Sequence, residues 1–111
     1  MNASDLEELR TRIQEESEQL KRDIGRLQEE VKPIAPDRAI GRLTRMEAIN
    51  AQKISEANLR KAKARLQRLE QTIPRLDDED YGICERCDRD IPVKRLLLMP
   101  ESRFCVRCLD R

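Results

Sequence analysis

All four cysteines of the chain fall in two C-x2-C pairs, Cys84/Cys87 and Cys105/Cys108, separated by seventeen residues. Two thiolates three positions apart on a tight turn can occupy adjacent corners of one tetrahedron. A second such turn supplies the other two corners. Gly82 permits the backbone to turn just before the first pair, and Asp88 supplies turn chemistry just after it. A disulfide inside C-x2-C would close a very small loop and leave the pairs unconnected. A dithiol redox site needs only one pair and a βαβ surround, which the flanking sequence lacks. One tetrathiolate zinc is therefore the favoured reading, with iron and disulfides as the alternatives. Four cysteines leave no coordination position for water or substrate, so such a zinc is structural. The chain holds no histidine, no nucleophile beside a base and no glycine-rich phosphate loop, so no catalytic residues are expected.

A metal staple suits the rest of the composition. Charged residues make up 41% of the 111, and the aromatics are one Tyr and one Phe. Leu, Ile, Ala and Val must bury themselves along narrow seams, and so small a body usually needs a covalent or metal constraint. The longest apolar run, LLLM at 96–99, is far short of the roughly 20 residues that span a bilayer. With no targeting pattern at the acidic start, a soluble cytoplasmic protein without membrane contact is expected.

From Leu6 onward the apolar residues follow a heptad: Leu6, Ile13, Leu20 and Leu27 on one line, Ile24 and Val31 on the second, with Ser17 a polar break and Leu9 at the flank. Ser4 with Glu7 predicts a capping box at the helix start. Pro33 and Pro36 interrupt the pattern, and Pro36 fits the first turn of a second helix reaching Gln71 or beyond. That helix closes on a regular seam of Leu59, Ala62, Leu66, Leu69, Ile73 and Leu76, whereas Leu43, Met46, Ile54 and Ala57 follow a different line. The shift predicts a stutter or a change of partner near residue 58.

Two long helices joined by a short loop pack antiparallel. The fold expected is mostly α: a coiled-coil hairpin over residues 1–76, its tip at 32–39, attached to a C4 zinc finger over 77–111. An intermolecular coiled coil is the alternative architecture. Charge agrees with a hairpin, since residues 1–31 carry a net −4 and residues 32–76 a net +7, so the two strands attract. Between the knuckles, IPVKRLLLMP reads as an extended or hairpin stretch placing Val93, Leu96 and Leu98 over the metal.

The stretch DYGICERCDRDIPVKRLLLMPESRFCVRC, with its acidic run, Tyr81-Gly82 step, basic pair Lys94/Arg95 and Pro100, resembles the DksA/TraR family of C4-type zinc finger proteins. The likeness continues upstream as a helical hairpin whose tip reads PDRA. It implies a transcription regulator that binds RNA polymerase, enters its secondary channel and alters open-complex stability. Asp37 and Ala39 match the last Asp and the Ala of the family's tip motif, while Ile34 stands in place of its first Asp. Arg38, Arg42, Arg68, Lys94 and Arg95 are the candidate contacts to polymerase or to the alarmone ppGpp. Met99 and Leu109 stand where the resemblance calls for basic residues, and the chain stops three residues past Cys108, so alarmone dependence is not expected.

Two other functions compete. A nucleic-acid-binding zinc ribbon requires a basic surface, yet residues 77–111 carry a net −2 and a tetrathiolate zinc adds two negative charges. Sequence-specific DNA binding is therefore not expected. A coiled-coil adaptor unrelated to transcription would favour a stable dimer, whereas the hairpin reading favours a monomer.

Overall fold

The computed structural model describes residues 1–32 and 41–109, with side chains from residue 45 onward in the second stretch. The expectations for Asp37, Arg38, Ala39 and the side chain of Arg42 lie outside the described residues. The elements are α1 (Ala3–Glu30), α2 (Gly41–Arg75), α3 (Val93–Leu98) and α4 (Val106–Leu109). No strand occurs among the described residues, only an isolated antiparallel bridge between Ile83 and Asp90. The chain divides into two compact units, Met1–Ser17 with Gln67–Arg111, and Glu18–Leu66. The first of these units groups the beginning of α1 and the end of α2 with the cysteines.

In the cysteine-bearing unit, α1 starts two residues earlier than the Ser4 box predicts. Asn2 Oδ1 accepts the Asp5 N–H at 2.8 Å, and the Asn2 N–H donates back to Asp5 Oδ2 at 3.3 Å. The two residues are three apart, so this is the same reciprocal capping, made with Asn and Asp. Leu9 and Ile13 are fully buried, so Leu9 belongs to the core rather than to its flank. The same unit buries Leu69 and Thr72 of α2 and Leu76 just past it, while Ile73 stays 39% exposed. Positions 72 and 73 both fit a three-four spacing, and the larger apolar residue is the natural choice from sequence. Thr72 can occupy the seam because its hydroxyl donates to the Arg68 carbonyl at 2.7 Å, carrying its own acceptor inward.

Pro74 sits in the last turn of α2, and its missing N–H removes one helical hydrogen bond. The chain leaves through three successive i to i+3 bonds, Leu76 to Ile73, Asp77 to Pro74 and Asp78 to Arg75. Arg10 pairs with Asp77 at 2.5 Å beside this exit. The expected extended stretch at 93–98 is a short helix. Pro92 at its N-cap has φ −56° and ψ 139°, the entry conformation that precedes a helix, and Lys, Arg and Leu then favour helix over strand. A helix cannot aim 93, 96 and 98 at one target: Leu96 is fully buried, Val93 half-buried and Leu98 70% exposed.

In the unit Glu18–Leu66, α1 buries Leu20 and Leu27. The α2 side chains withdrawn from solvent in its first described turns are small or polar: Ala48, Gln52, Ser55, Ala57 and then Leu59. Gln52 Nε2 donates to the Val31 and Lys32 carbonyls at 3.0 and 2.8 Å, satisfying acceptors that the end of α1 leaves free. Ser55 Oγ donates to Glu30 at 2.7 Å. These contacts set an antiparallel register for the two helices within this unit. Met46 and Ile54, on the line where the sequence predicted a change of partner, are 54% and 64% exposed.

Leu69→Ala should lower unfolding free energy by about 2–5 kcal/mol, the range for a fully buried leucine, whereas Ile73→Ala should cost well under about 1.5 kcal/mol. Urea unfolding of the zinc-loaded protein measures both. Equal losses would contradict the seam through Thr72.

Candidate metal centre

The first knuckle is a turn built on two left-handed residues. Gly82 has φ +87° and Asp88 φ +59°, conformations open to Gly and tolerated by Asp. Between them Cys84 N–H donates to the Arg89 carbonyl at 2.8 Å and Asp88 N–H to the Cys84 carbonyl at 3.0 Å, while Ile91 N–H closes the loop on Gly82 at 2.7 Å. A Cβ on Gly82 would approach the Met1 methyl at 2.5 Å and a Leu96 methyl at 3.5 Å. The position therefore favours glycine for its φ, while the Met1 methyl, at the end of a flexible side chain, would have to move aside.

The second knuckle leads into α4, with the Cys108 and Leu109 N–H groups both donating to the Cys105 carbonyl at 3.1 and 3.0 Å. The knuckles are tied together. Glu85 N–H donates to the Arg103 carbonyl at 2.9 Å, Arg103 pairs with the Glu85 carboxylate at 2.7 Å, and Arg86 donates to the Cys108 carbonyl at 3.2 Å. Arg86 also lies over the Phe104 ring, 5.8 Å from its centre.

This framework brings the Sγ atoms of Cys84, Cys87, Cys105 and Cys108 within 4.8 Å of one another. Cys87 and Cys105 are 3.7 Å apart, and none of the four is disulfide-bonded. A Zn–S bond of about 2.3 Å implies a tetrahedral edge of about 3.8 Å, so the spacing fits a metal and is too wide for a disulfide. The thiols titrate unequally. Burial opposes ionisation of Cys84, but backbone N–H groups of Cys105, Cys87 and Arg86 outweigh it and bring the thiol down to about 6. The Cys108 backbone N–H lowers Cys105 against a smaller opposing burial. Burial, followed by the neighbouring thiols, pushes Cys108 up to about 12. Thiolates this close repel, and a divalent cation relieves the repulsion while displacing the remaining protons. The four cysteines form a metal-binding site suited to zinc, and they saturate it.

Above the knuckles the buried side chains of the same unit form a small roof of Tyr81, Ile91, Leu96 and Pro100. The Tyr81 hydroxyl donates to the Pro100 carbonyl at 3.0 Å, and Arg75 lies over its ring at 5.7 Å. Burial raises Tyr81 to about 12 and lowers Arg75, whose cation also feels Arg103. Arg75 carries no distinguishing mark in the sequence, where it is one cation in a basic helix. Of the predicted contact residues, Arg68 is exposed on α2, with its carbonyl taken by Thr72, while α3 carries Lys94 exposed and Arg95 half-buried.

A helix-packed body stapled by four thiolates defines a C4-type zinc-finger protein. Residues 79–111 match the prokaryotic dksA/traR C4-type zinc finger. The RNA polymerase-binding transcription factor DksA of Haemophilus influenzae is 30% identical over 91 residues, covering 82% of this chain and 59% of that protein. Its counterpart in Escherichia coli K12 is 35% identical over 43 residues, 39% of this chain and 28% of the relative. The structure of transcription factor DksA2 from Pseudomonas aeruginosa shares the fold, with a TM-score of 0.67 at 22% identity over all of this chain and 84% of the other. The chain spans about a third of the length of the first curated relatives it matches. The chain is DksA-like, and its residues 79–111 are a zinc finger of the dksA/traR C4 type.

Zinc should bind at one equivalent per chain, and Cys84→Ser should abolish that stoichiometry in a thiol-displacement assay with a chromogenic chelator. Tyr81 supplies a pH test. The folded state holds its phenolic proton more tightly than the unfolded chain, whose value is near 10. Its stabilisation is thus complete below pH 10 and lost as pH rises through about 12. Denaturant unfolding of the zinc-loaded protein across that window should show a shallower decline in Tyr81→Phe.

Proposed function

We propose that the protein is a cytoplasmic transcription regulator that binds RNA polymerase through its secondary channel and alters open-complex stability without catalysing a reaction. The observation that carries this reading is the reach of the sequence likeness. A match of 91 residues to an RNA polymerase-binding factor is much longer than the finger at 79–111, so the helices take part in it. The physical properties of those helices support the same reading. They are 28 and 35 residues long, about 40 and 50 Å, and helix holds its direction over distances at which an unstructured linker does not.

In this reading Asp37 and Ala39 act beside the polymerase active centre, where a carboxylate can influence bound cations or the growing charge of the reaction. Arg38 and Arg42 contact the channel behind them. The exposed cations Arg68 and Lys94, with Arg95, meet the polymerase surface. Met99 and Leu109 are exposed apolar residues and offer no hydrogen bond or charge to a polyphosphate, so the reading includes no requirement for ppGpp. No helix among the described residues is long and apolar enough to cross a membrane, in keeping with a polymerase partner.

Asp37→Asn should leave zinc content, helicity and polymerase binding intact while removing the effect on open-complex lifetime, measured by competitor challenge on a short-lived promoter complex. An undiminished effect would take the carboxylate out of the mechanism. Cleavage from a radical source attached at residue 37 should map beside the polymerase active centre.

A further inference from the structure

Glu85 and Arg86, the two residues between the first pair of cysteines, are both exposed, yet both reach the second knuckle. They take it from opposite ends. Glu85 N–H donates to the Arg103 carbonyl at 2.9 Å, just before Phe104 and Cys105. Arg86 Nη1 donates to the Cys108 carbonyl at 3.2 Å, and its guanidinium lies over the Phe104 ring, 5.8 Å from the centre. The backbone N–H of Arg86 meanwhile bonds the Cys84 sulfur. One residue thus touches a ligand of its own knuckle through its backbone and a ligand of the other through its side chain. The two halves differ in how they are closed. Cys84 N–H to Arg89 and Ile91 N–H to Gly82 close the first across its turn, whereas the second is a short helical turn whose bonds run from Cys108 and Leu109 back to Cys105. The second is the half that must be held to the first.

The ties also differ in what supports them. Between Glu85 and Arg103 the backbone bond survives any side-chain change, and the ion pair, with side chains 48% and 49% exposed, contributes little in water. The Arg86 contact depends wholly on its side chain. The Cys108 carbonyl falls at the end of α4, where carbonyls lack partners within the helix. A guanidinium suits this corner, because its flat face covers a ring while an edge N–H donates in its own plane. An ammonium offers charge and donor from a single point. A tetrathiolate zinc carries two negative charges, so a cation held here also offsets charge that the metal leaves uncompensated. We propose that Arg86 is a positioning residue of the metal centre, holding the second knuckle closed on the first and so slowing the escape of zinc. Lifting α4 and its cysteines off the metal breaks the Arg86 contact and leaves the turn of the first knuckle whole. The inference concerns the centre alone and is independent of the polymerase reading.

The test follows zinc transfer from the zinc-loaded full chain to excess chromogenic chelator. Arg86→Gln should still bind one zinc per chain, since the four cysteines are intact. It should release that zinc at least about tenfold faster, the lower end of the effect expected when an outer partner of a metal ligand is lost. Arg86→Lys, which keeps a charge and a donor, should recover part of the loss. Arg107→Gln removes an exposed cation from the equivalent place in the second C-x2-C and should release zinc like the parent. Cobalt(II) substitution gives a second readout: the visible bands of the tetrahedral site should shift or broaden in Arg86→Gln and match the parent in Arg107→Gln. Unchanged release from Arg86→Gln overturns the proposal. Equal acceleration in Arg86→Gln and Arg107→Gln also overturns it, by assigning the effect to net charge. Where Arg86→Gln holds no zinc at all, zinc regained in Arg86→Lys supports the proposal, and zinc still absent overturns it.

Discussion

Mutual repulsion among four thiolates is the constraint on which the cysteine-bearing unit turns. Sulfur atoms gathered within 4.8 Å cannot all ionise unless a cation joins them, and their surroundings already divide them: backbone N–H groups bring Cys84 down to about 6, while burial, then the neighbouring thiols, pushes Cys108 up to about 12. The backbone has nevertheless prepared the site. Amide groups converge on the Cys84 sulfur, and the turn residues Gly82 and Asp88 accept left-handed conformations to aim them. A structural zinc converts this stored repulsion into folding free energy, which a unit with Tyr81 and Phe104 as its aromatic residues lacks from burial alone. The interior is correspondingly thin: Leu9, Ile13, Leu69, Leu76 and Leu96 are its largest fully buried aliphatics.

The metal centre was legible in the sequence because ligand chemistry is local. Two C-x2-C pairs state the donor set and its spacing, and Gly82 and Asp88 announce the turns beside them. The two long helices were legible too, since heptad spacing persists over many turns. What escaped was every choice between two positions that satisfy the same period. Ile73 looked like core and Thr72 did not, because hydrophobicity was weighed without the hydroxyl's ability to bond one turn back. Leu9 looked peripheral because the heptad frame was fixed on Leu6 and Ile13. Its burial shows that the frame shifts in the first turns, where other side chains of the unit pack against α1.

The short helix α3 escaped for a different reason. In IPVKRLLLMP the apolar residues do not settle strand against helix, and the two prolines suggested an extended path. Pro92 instead provides the entry conformation, and burial of Leu96 alone suffices to seat a six-residue helix. The end of α1 carries the same lesson in polar form. Register was unreadable from apolar spacing because it is set by Gln52 bonding the carbonyls of Val31 and Lys32, and a glutamine on a helix has no sequence mark that distinguishes such a role from solvation.

The change of apolar line near residue 58 acquires meaning from this arrangement. In the unit Glu18–Leu66, Gln52 and Ser55 bond the end of α1 and the residues just past it, and Ala48 and Leu59 share their side of α2. Met46, Ile49 and Ile54 lie off that side and stay exposed. The apolar line upstream of residue 58 is therefore not the one that pairs with α1 in this unit: there, hydrogen bonds and small side chains set the register, and apolar spacing alone could not announce it.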